Sequence, residues 1–190
     1  MGHRFDPRHV DRLFSPERMK QLPPDELLDW LNIRQTDTVA DVGCGPGYFT
    51  IPAAERTKEN VYAIDVSEEM LGHLAKRCSE AGRTNVRALH GNAGQIPLGD
   101  DSVDRIICSM VLHEVDSLTE TLTEFRRILR ADGRVLVVEW EKKPTEHGPP
   151  VHHRLGRSDL VARFVEHGFQ CTEHQPNPDN YVVVANVDAY

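Results

Sequence analysis

Three glycines at Gly43, Gly45 and Gly47, a carboxylate at Asp65 and the adjacent pair His113 and Glu114 are the residues whose types and spacing can do chemistry. The glycines directly follow the apolar run 39–42 and precede an expected helix that contains Tyr48, Phe49 and Ile51. Glycine permits positive φ angles and close approach of a ligand to the backbone, and a helix start offers free N–H groups to a carboxylate. Asp65 closes the next apolar run, where its carboxylate can accept the hydroxyl protons of a ribose. A histidine titrates near neutrality, so His113, with Glu114 beside it, can take a proton from a phenol, an enol or an amine. The plainer reading, a histidine packed at a strand end beside a solvated Glu114, stays open.

The glycine spacing separates two kinds of nucleotide ligand. A dinucleotide fingerprint is GxGxxG, and here its third glycine position holds the bulky Tyr48. Pro46 carries no N–H, so a loop meant to cradle a pyrophosphate would lack a donor where donors matter most. Asp65 serves either ligand and supports nucleoside binding in general. A nicotinamide-dependent oxidoreductase is therefore the weaker reading.

To hold these groups the chain needs a strand before each of them. Short apolar runs at 38–42, 61–65, 86–90, 104–108 and 134–140 alternate with helical periods, which argues for a parallel sheet. Met70, Leu71, Leu74, Ala75 and Cys78 share one helical face, with Gly82 as its stop; Leu118, Leu122, Phe125 and Leu129 form another, capped by Ser117 with Glu120. A helix at 158–167 ends at Gly168 and leads to a strand at 169–174, the turn QPNPDN and a strand at 181–186. No crossover helix fits in that turn, so the last two strands must be antiparallel. The expected fold is α/β: a doubly wound, seven-stranded, mostly parallel sheet with a C-terminal antiparallel hairpin. Residues 1–35, with Pro7, Pro16, Pro23 and Pro24, read as an N-terminal helical cap with one docked helix at 24–32, and 36–190 as the ligand-binding domain.

VADVGCGPG, YAIDVS, GNAGQIPL, DRIICSMVLHEV and LRADGRVLVVEW together resemble a class I S-adenosylmethionine-dependent methyltransferase, of the broad group that includes ubiquinone and menaquinone biosynthesis methyltransferases. The resemblance covers roughly residues 36–186 and implies a Rossmann-like methyltransferase fold with S-adenosylmethionine as cofactor. It implies that Asp41 and the segment Gly43, Cys44, Gly45 and Gly47, with Tyr48 and Phe49, hold the methionine part. Asp65 would hold the ribose, and Val66 and Met70 would flank the adenine. Where such enzymes often have an acidic residue facing the adenine amino group, this chain has Asn92 before Ala93, whose side-chain carbonyl can accept the same bond. Ser109, Met110 and His113 correspond to positions lining the cofactor and the reaction centre.

Methyl transfer from a sulfonium is an in-line displacement, so the protein mainly aligns the acceptor and excludes water, and a base is needed only for a protonated acceptor. His113 and Glu114 are the candidate catalytic pair. Glu139 and Trp140 close the fifth strand before EKKPTEHGPPVHHR, an irregular segment of the kind that lies over a site, so Glu139, Trp140, His147 and His153 are candidate substrate contacts. Phe5, in an N-terminal segment able to fold over the bound cofactor, is another. His147, His152 and His153 match no metal-ligand spacing, and no metal is assigned.

The formal charge of −8, with no run of Lys and Arg longer than two, argues against a nucleic-acid partner. No apolar stretch approaches the length of a membrane span, and neither an anchor nor a secretion signal is expected. Four widely separated cysteines fit reduced thiols in a cytoplasmic protein. The partner expected is a small-molecule methyl acceptor; a homodimer and a non-catalytic, cofactor-binding sensor or subunit both stay open.

Overall fold

The computed structural model describes residue 10 and residues 13–187. Two helices, α1 (Pro16–Gln21) and α2 (Pro24–Leu31), precede the alternation β1 (Val39–Val42), α3 (Thr50–Arg56), β2 (Val61–Asp65), α4 (Glu68–Glu80) and β3 (Val86–His90). Then follow β4 (Val103–Ser109), α5 (Leu118–Ile128), β5 (Leu129–Trp140), α6 (Arg157–Glu166), β6 (Phe169–Asn177) and β7 (Asn180–Val187). The seven strands form one sheet in the order β3-β2-β1-β4-β5-β7-β6, with β7 antiparallel to both its neighbours and the other pairings parallel. This is the expected doubly wound architecture with its closing hairpin.

Both faces of the sheet are covered, which is why the central strands read as continuous apolar runs. Along β5, Val135 and Val137 pack with Leu122 and Phe125 of α5 and Leu160 and Phe164 of α6, whereas Leu136 and Val138 pack with Leu27, Leu28 and Leu31 of α2 and Ala53 of α3. The period of two thus sends alternate residues into two separate cores. α2 belongs to the second core, its three leucines fully buried. α4 covers Ala63 of β2 through Leu74 and Cys78. Between β3 and β4 the crossover is an irregular segment whose Ala93 and Ile96 fill the first core.

Ser67 caps α4 by accepting the Met70 N–H at 3.3 Å, and Ser117 caps α5 by accepting that of Glu120 at 3.2 Å. Three boundaries differ from expectation. α3 starts at Thr50, so Tyr48 and Phe49 lie in the turn before it. β5 starts at Leu129, because ADG forms a bulge with Asp132 at φ +64 and the pairing with β4 resumes at Arg105 and Arg134. β6 runs on to Asn177 through a register shift, leaving only Pro178 and Asp179 in the hairpin turn. α1 was not anticipated, although Ser15 followed by Pro16 and Glu17 is a helix start: the Ser15 hydroxyl accepts the Arg18 N–H at 3.2 Å.

Candidate active site

The C-terminal ends of β1, β2, β4 and β5 open into one cleft of about 1790 Å³, roofed by α1 on one side and by the 147–150 segment on another. Such a place, where crossovers diverge to opposite faces of an open α/β sheet, is where ligands bind. The volume is above the ~300–1,000 Å³ of an ordinary single-ligand pocket, so it has room for two ligands side by side.

At its β1 end the chain turns through Gly43, whose φ is +72 and whose added Cβ would lie 2.2 Å from Val111 Cγ2. The loop therefore threads beneath the β4 exit only because this residue is glycine. Its amides are already used: Gly43 and Cys44 donate to Ile64 O at 2.8 and 3.0 Å, Gly45 to Asp65 Oδ2 at 2.8 Å, and Gly47 to Cys44 O at 3.0 Å. With Pro46 contributing none, no N–H from 43 to 47 is left for an anion. The N–H groups expected to meet a carboxylate are those of the helix start that follows, whereas the amides of 43–47 serve the protein and fix Asp65. The other Asp65 oxygen accepts the Ser67 N–H at 2.8 Å. A carboxylate oxygen has capacity for more than one donor, so both remain able to accept from ribose hydroxyls.

Asp41, fully buried under the loop, accepts a 2.6 Å hydrogen bond from the Thr50 hydroxyl. Burial pushes its pKa up to about 7 against that hydrogen bond, and the charge of Asp65 adds to the rise. Two carboxylates therefore face one cleft wall.

At the β4 end, Met110 adopts φ +60, unusual for a bulky side chain, while its N–H donates to Val138 O at 2.8 Å. The sharp exit brings His113 over β5. There Glu139, with no solvent exposure, receives the His113 Nδ1 proton at 2.8 Å and the His113 backbone N–H at 3.2 Å. An ionised carboxylate only accepts, so on a neutral His113 ring the proton sits on Nδ1 and Nε2 keeps its lone pair. Glu114 Oε1 lies 3.7 Å from Nε2. Burial works against the imidazolium, but the hydrogen bond and charge of Glu139, aided by Glu114, prevail and hold the His113 pKa above its ordinary value.

The outer wall is built around Arg154. This buried guanidinium donates to the carbonyls of Pro149, Glu141, Lys143 and His147 and to the Thr145 hydroxyl, at 2.7 to 3.1 Å, and lies 5.2 Å from the Trp140 ring centre. All five of its N–H donors are thereby used, so the irregular segment is a preformed wall.

The cleft brings together Asp41, Gly43, Cys44, Gly45, Tyr48, Phe49, Asp65, Val66, Met70, Asn92 and Ala93 with Ser109, Met110, His113, Glu114, Trp140 and His147. Ser109 lies on this wall with its Oγ buried and without a hydrogen-bond partner, and the Asn92 side-chain carbonyl already accepts the Gly94 N–H at 2.9 Å. Glu139, expected to touch an acceptor, instead stands behind His113. Gly47 and His153 are not on the cleft wall: Gly47 faces Leu74, and His153 stacks edge-on against His152. Among the described residues no cluster of histidine, cysteine and acidic groups could hold a metal, and no helix is long and apolar enough to cross a membrane. Phe5 lies outside the described residues. Sequence reasoning missed Arg18 and Gln21 of α1 and Asn180 of β7, all on the cleft wall. The Ser-Pro-Glu start of α1 was the available signal for the first two.

A family model described as a methyltransferase domain matches residues 40–137, more than half of the chain. A demethylmenaquinone methyltransferase of Bacillus velezensis is 31% identical over 117 residues, which cover 60% of this chain and 50% of the relative. A ubiquinone/menaquinone biosynthesis C-methyltransferase of Paracoccus denitrificans is 34% identical over 121 residues, covering 62% and 48%. The chain spans about half the length of these curated relatives. Among solved structures, a SAM-dependent methyltransferase from Aquifex aeolicus superposes with a TM-score of 0.90 at 26% identity, over 97% of this chain and 100% of that one.

Proposed function

The chain belongs to the methyltransferase domain family, and on that footing we propose that it moves a methyl group from S-adenosylmethionine to a small molecule whose nucleophilic atom carries a proton. The observation that carries this reading is one cleft, large enough for two ligands, with Asp65 at one end and the His113–Glu139 pair at the other.

When bound, S-adenosylmethionine supplies a methyl group activated on a sulfonium. The residues present suit it: Asp65 keeps acceptor capacity for ribose hydroxyls, Val66 and Met70 offer apolar surface for a base, and Asp41 places a carboxyl where an ammonium can be matched. On the acceptor side, Trp140 and the wall held by Arg154 align the second ligand and exclude water. His113 Nε2 takes the acceptor proton as the new bond to carbon forms and the carbon–sulfur bond breaks; Glu139 holds the ring and stabilises the imidazolium that results. Charge balances, since the cation leaves the sulfur and reappears on the imidazole.

The test is calorimetric titration with S-adenosylmethionine, S-adenosylhomocysteine and NAD on wild type and Asp65→Ala. The first two should bind, and the substitution should weaken them by about 10- to 100-fold, the worth of hydrogen bonds to a charged group. Binding of NAD in their place, or of none of the three, would sink the proposal. Methyl transfer from labelled cofactor to a panel of phenols, enols and amines then searches for the acceptor, and binding without transfer to any acceptor would favour a sensor or subunit.

A further inference from the structure

Arg18, the third residue of α1, lines the cleft that the glycine loop floors. Its guanidinium carbon lies 4.8 Å from the centre of the Tyr48 ring, and Tyr48 is the residue that follows Gly47. The Tyr48 hydroxyl donates to Leu22 O at 2.7 Å and approaches Arg18 O at 3.4 Å, tying the ring to the backbone of the same helical segment. Arg18 is therefore held at the methionine end assigned above.

The charge of Arg18 is poorly compensated there. Its Nε is shielded from solvent and has no hydrogen-bond partner, and among the described residues no carboxylate pairs with it. Arg77 shares the unpartnered Nε, but it lies over the Phe14 ring and is not among the cleft residues, and two other interior guanidinium groups are fully matched. Arg105 meets Asp37 at 3.0 Å, and Arg154 has an acceptor for every N–H. Burial works against the charged form of Arg18, with only the Tyr48 ring and hydroxyl opposing it. An uncompensated guanidinium in a cleft is costly unless a ligand supplies the anion.

The loop completes the argument. A carboxylate bound near Gly43 to Gly47 would find each of their amides already donating to the protein, and the nearest carboxyl groups, Asp41 and Asp65, would repel it. An α-amino acid tail needs its ammonium and its carboxylate matched separately. Asp41 suits the first, and a cation is the strongest match for the second.

We propose that Arg18 is a carboxylate anchor of the cleft. The proposal rests on the methyltransferase reading given above and deepens it. Carboxylate is the chemistry Arg18 selects, and its contact with Tyr48 places that carboxylate on the cofactor's methionine tail; a carboxylate carried by the acceptor is the other source.

The experiment measures binding of S-adenosylhomocysteine and of its decarboxylated analogue to wild type, Arg18→Gln and Arg18→Lys, with thermal melting of each variant as a control on folding. If wild type fails to bind S-adenosylhomocysteine, the methyltransferase reading fails before Arg18 is tested. If wild type binds, Arg18→Gln should weaken S-adenosylhomocysteine by about 10- to 100-fold while leaving the decarboxylated analogue within about twofold, since a charge-assisted pair is lost only where the carboxylate exists. Arg18→Lys, which keeps the charge and loses the planar fork, should fall between them. A parallel titration follows benzoate binding to the protein saturated with S-adenosylhomocysteine. Intact cofactor affinity in Arg18→Gln with loss of an Arg18-dependent benzoate site would place the carboxylate on the acceptor. Equal weakening of the two nucleosides, or no change in them or in benzoate, overturns the anchor.

Discussion

Buried charge occurs at both ends of the parallel strands, and the two ends treat it oppositely. At the N-terminal end, Arg105 Nη2 lies 3.0 Å from Asp37 Oδ2, which also accepts the Arg34 N–H at 2.8 Å, and the Asp37 carbonyl accepts the Thr57 hydroxyl at 2.6 Å. Opposite charges there cancel one another. At the C-terminal end, Asp41 and Asp65 are both acidic groups without a cationic partner, have hydrogen bonds from hydroxyl and amide groups only, and open onto the cleft. Charge that the protein balances internally serves the fold, whereas like charge left facing a cavity calls for a cationic ligand. The His113–Glu139 pair combines both arrangements: an internally matched pair whose remaining nitrogen is turned toward the cleft.

The largest effect that would sharpen this contrast is on rate. His113→Ala should lower methyl transfer to a protic acceptor by about 10²- to 10⁴-fold, the range of a positioned base, with S-adenosylhomocysteine affinity unchanged in calorimetry. A comparable loss of affinity would instead make His113 part of the cofactor's seat. Next, Arg105→Ala should cost about 3–5 kcal/mol in chemical denaturation, because Asp37 is left buried without its partner, and the protein that remains folded should bind cofactor normally. If Arg105→Ala leaves stability intact, the supposed difference between the two ends collapses.

Asp41→Asn should act in the reverse sense. With its pKa raised to about 7 in the fold, against about 3.9 in an unfolded chain, Asp41 binds a proton in the native state that the unfolded state has lost. Its contribution to stability therefore falls as pH rises between those two values. The Asn variant should gain in relative melting temperature as pH rises across that window. Calorimetry near pH 6 in buffers of different ionisation enthalpy should show S-adenosylhomocysteine expelling a proton from wild type and none from Asp41→Asn. The smallest effect is a titration shift. Glu139→Gln removes the main influence that raises the His113 pKa, so imidazole NMR should find it lower than in wild type. A raised histidine stabilises fully below about pH 6.5 and loses that contribution as pH climbs through its folded pKa, so the wild-type advantage over Glu139→Gln should fade in the same direction.

Much of the sheet could be read before any coordinates, because periodicity records burial. Valines and isoleucines covered on both faces leave continuous runs, and β1 and β2 fall where those runs lie. The glycine loop and Asp65 were legible for a related reason, since backbone turns and strand ends are local in sequence. The bulge in β5 was not, because ADG suits a turn and a bulge equally and only the pairing with β4 decides between them.

The site divides in the same manner. Residue types at 65, 113 and 114 made these positions candidates from the sequence by itself, and Asp41 entered with the family resemblance. Tertiary structure alone decided that Glu139, 26 positions after His113, stands behind its ring, and that Arg154 holds the 141–154 segment as a wall. It also decided that the loop amides are spent on the protein and that α1 carries Arg18 to Tyr48, 30 positions away. The physical reason is that strand and turn preferences arise between near neighbours, while the partner of a buried polar group is settled by which distant segments the sheet order sets side by side.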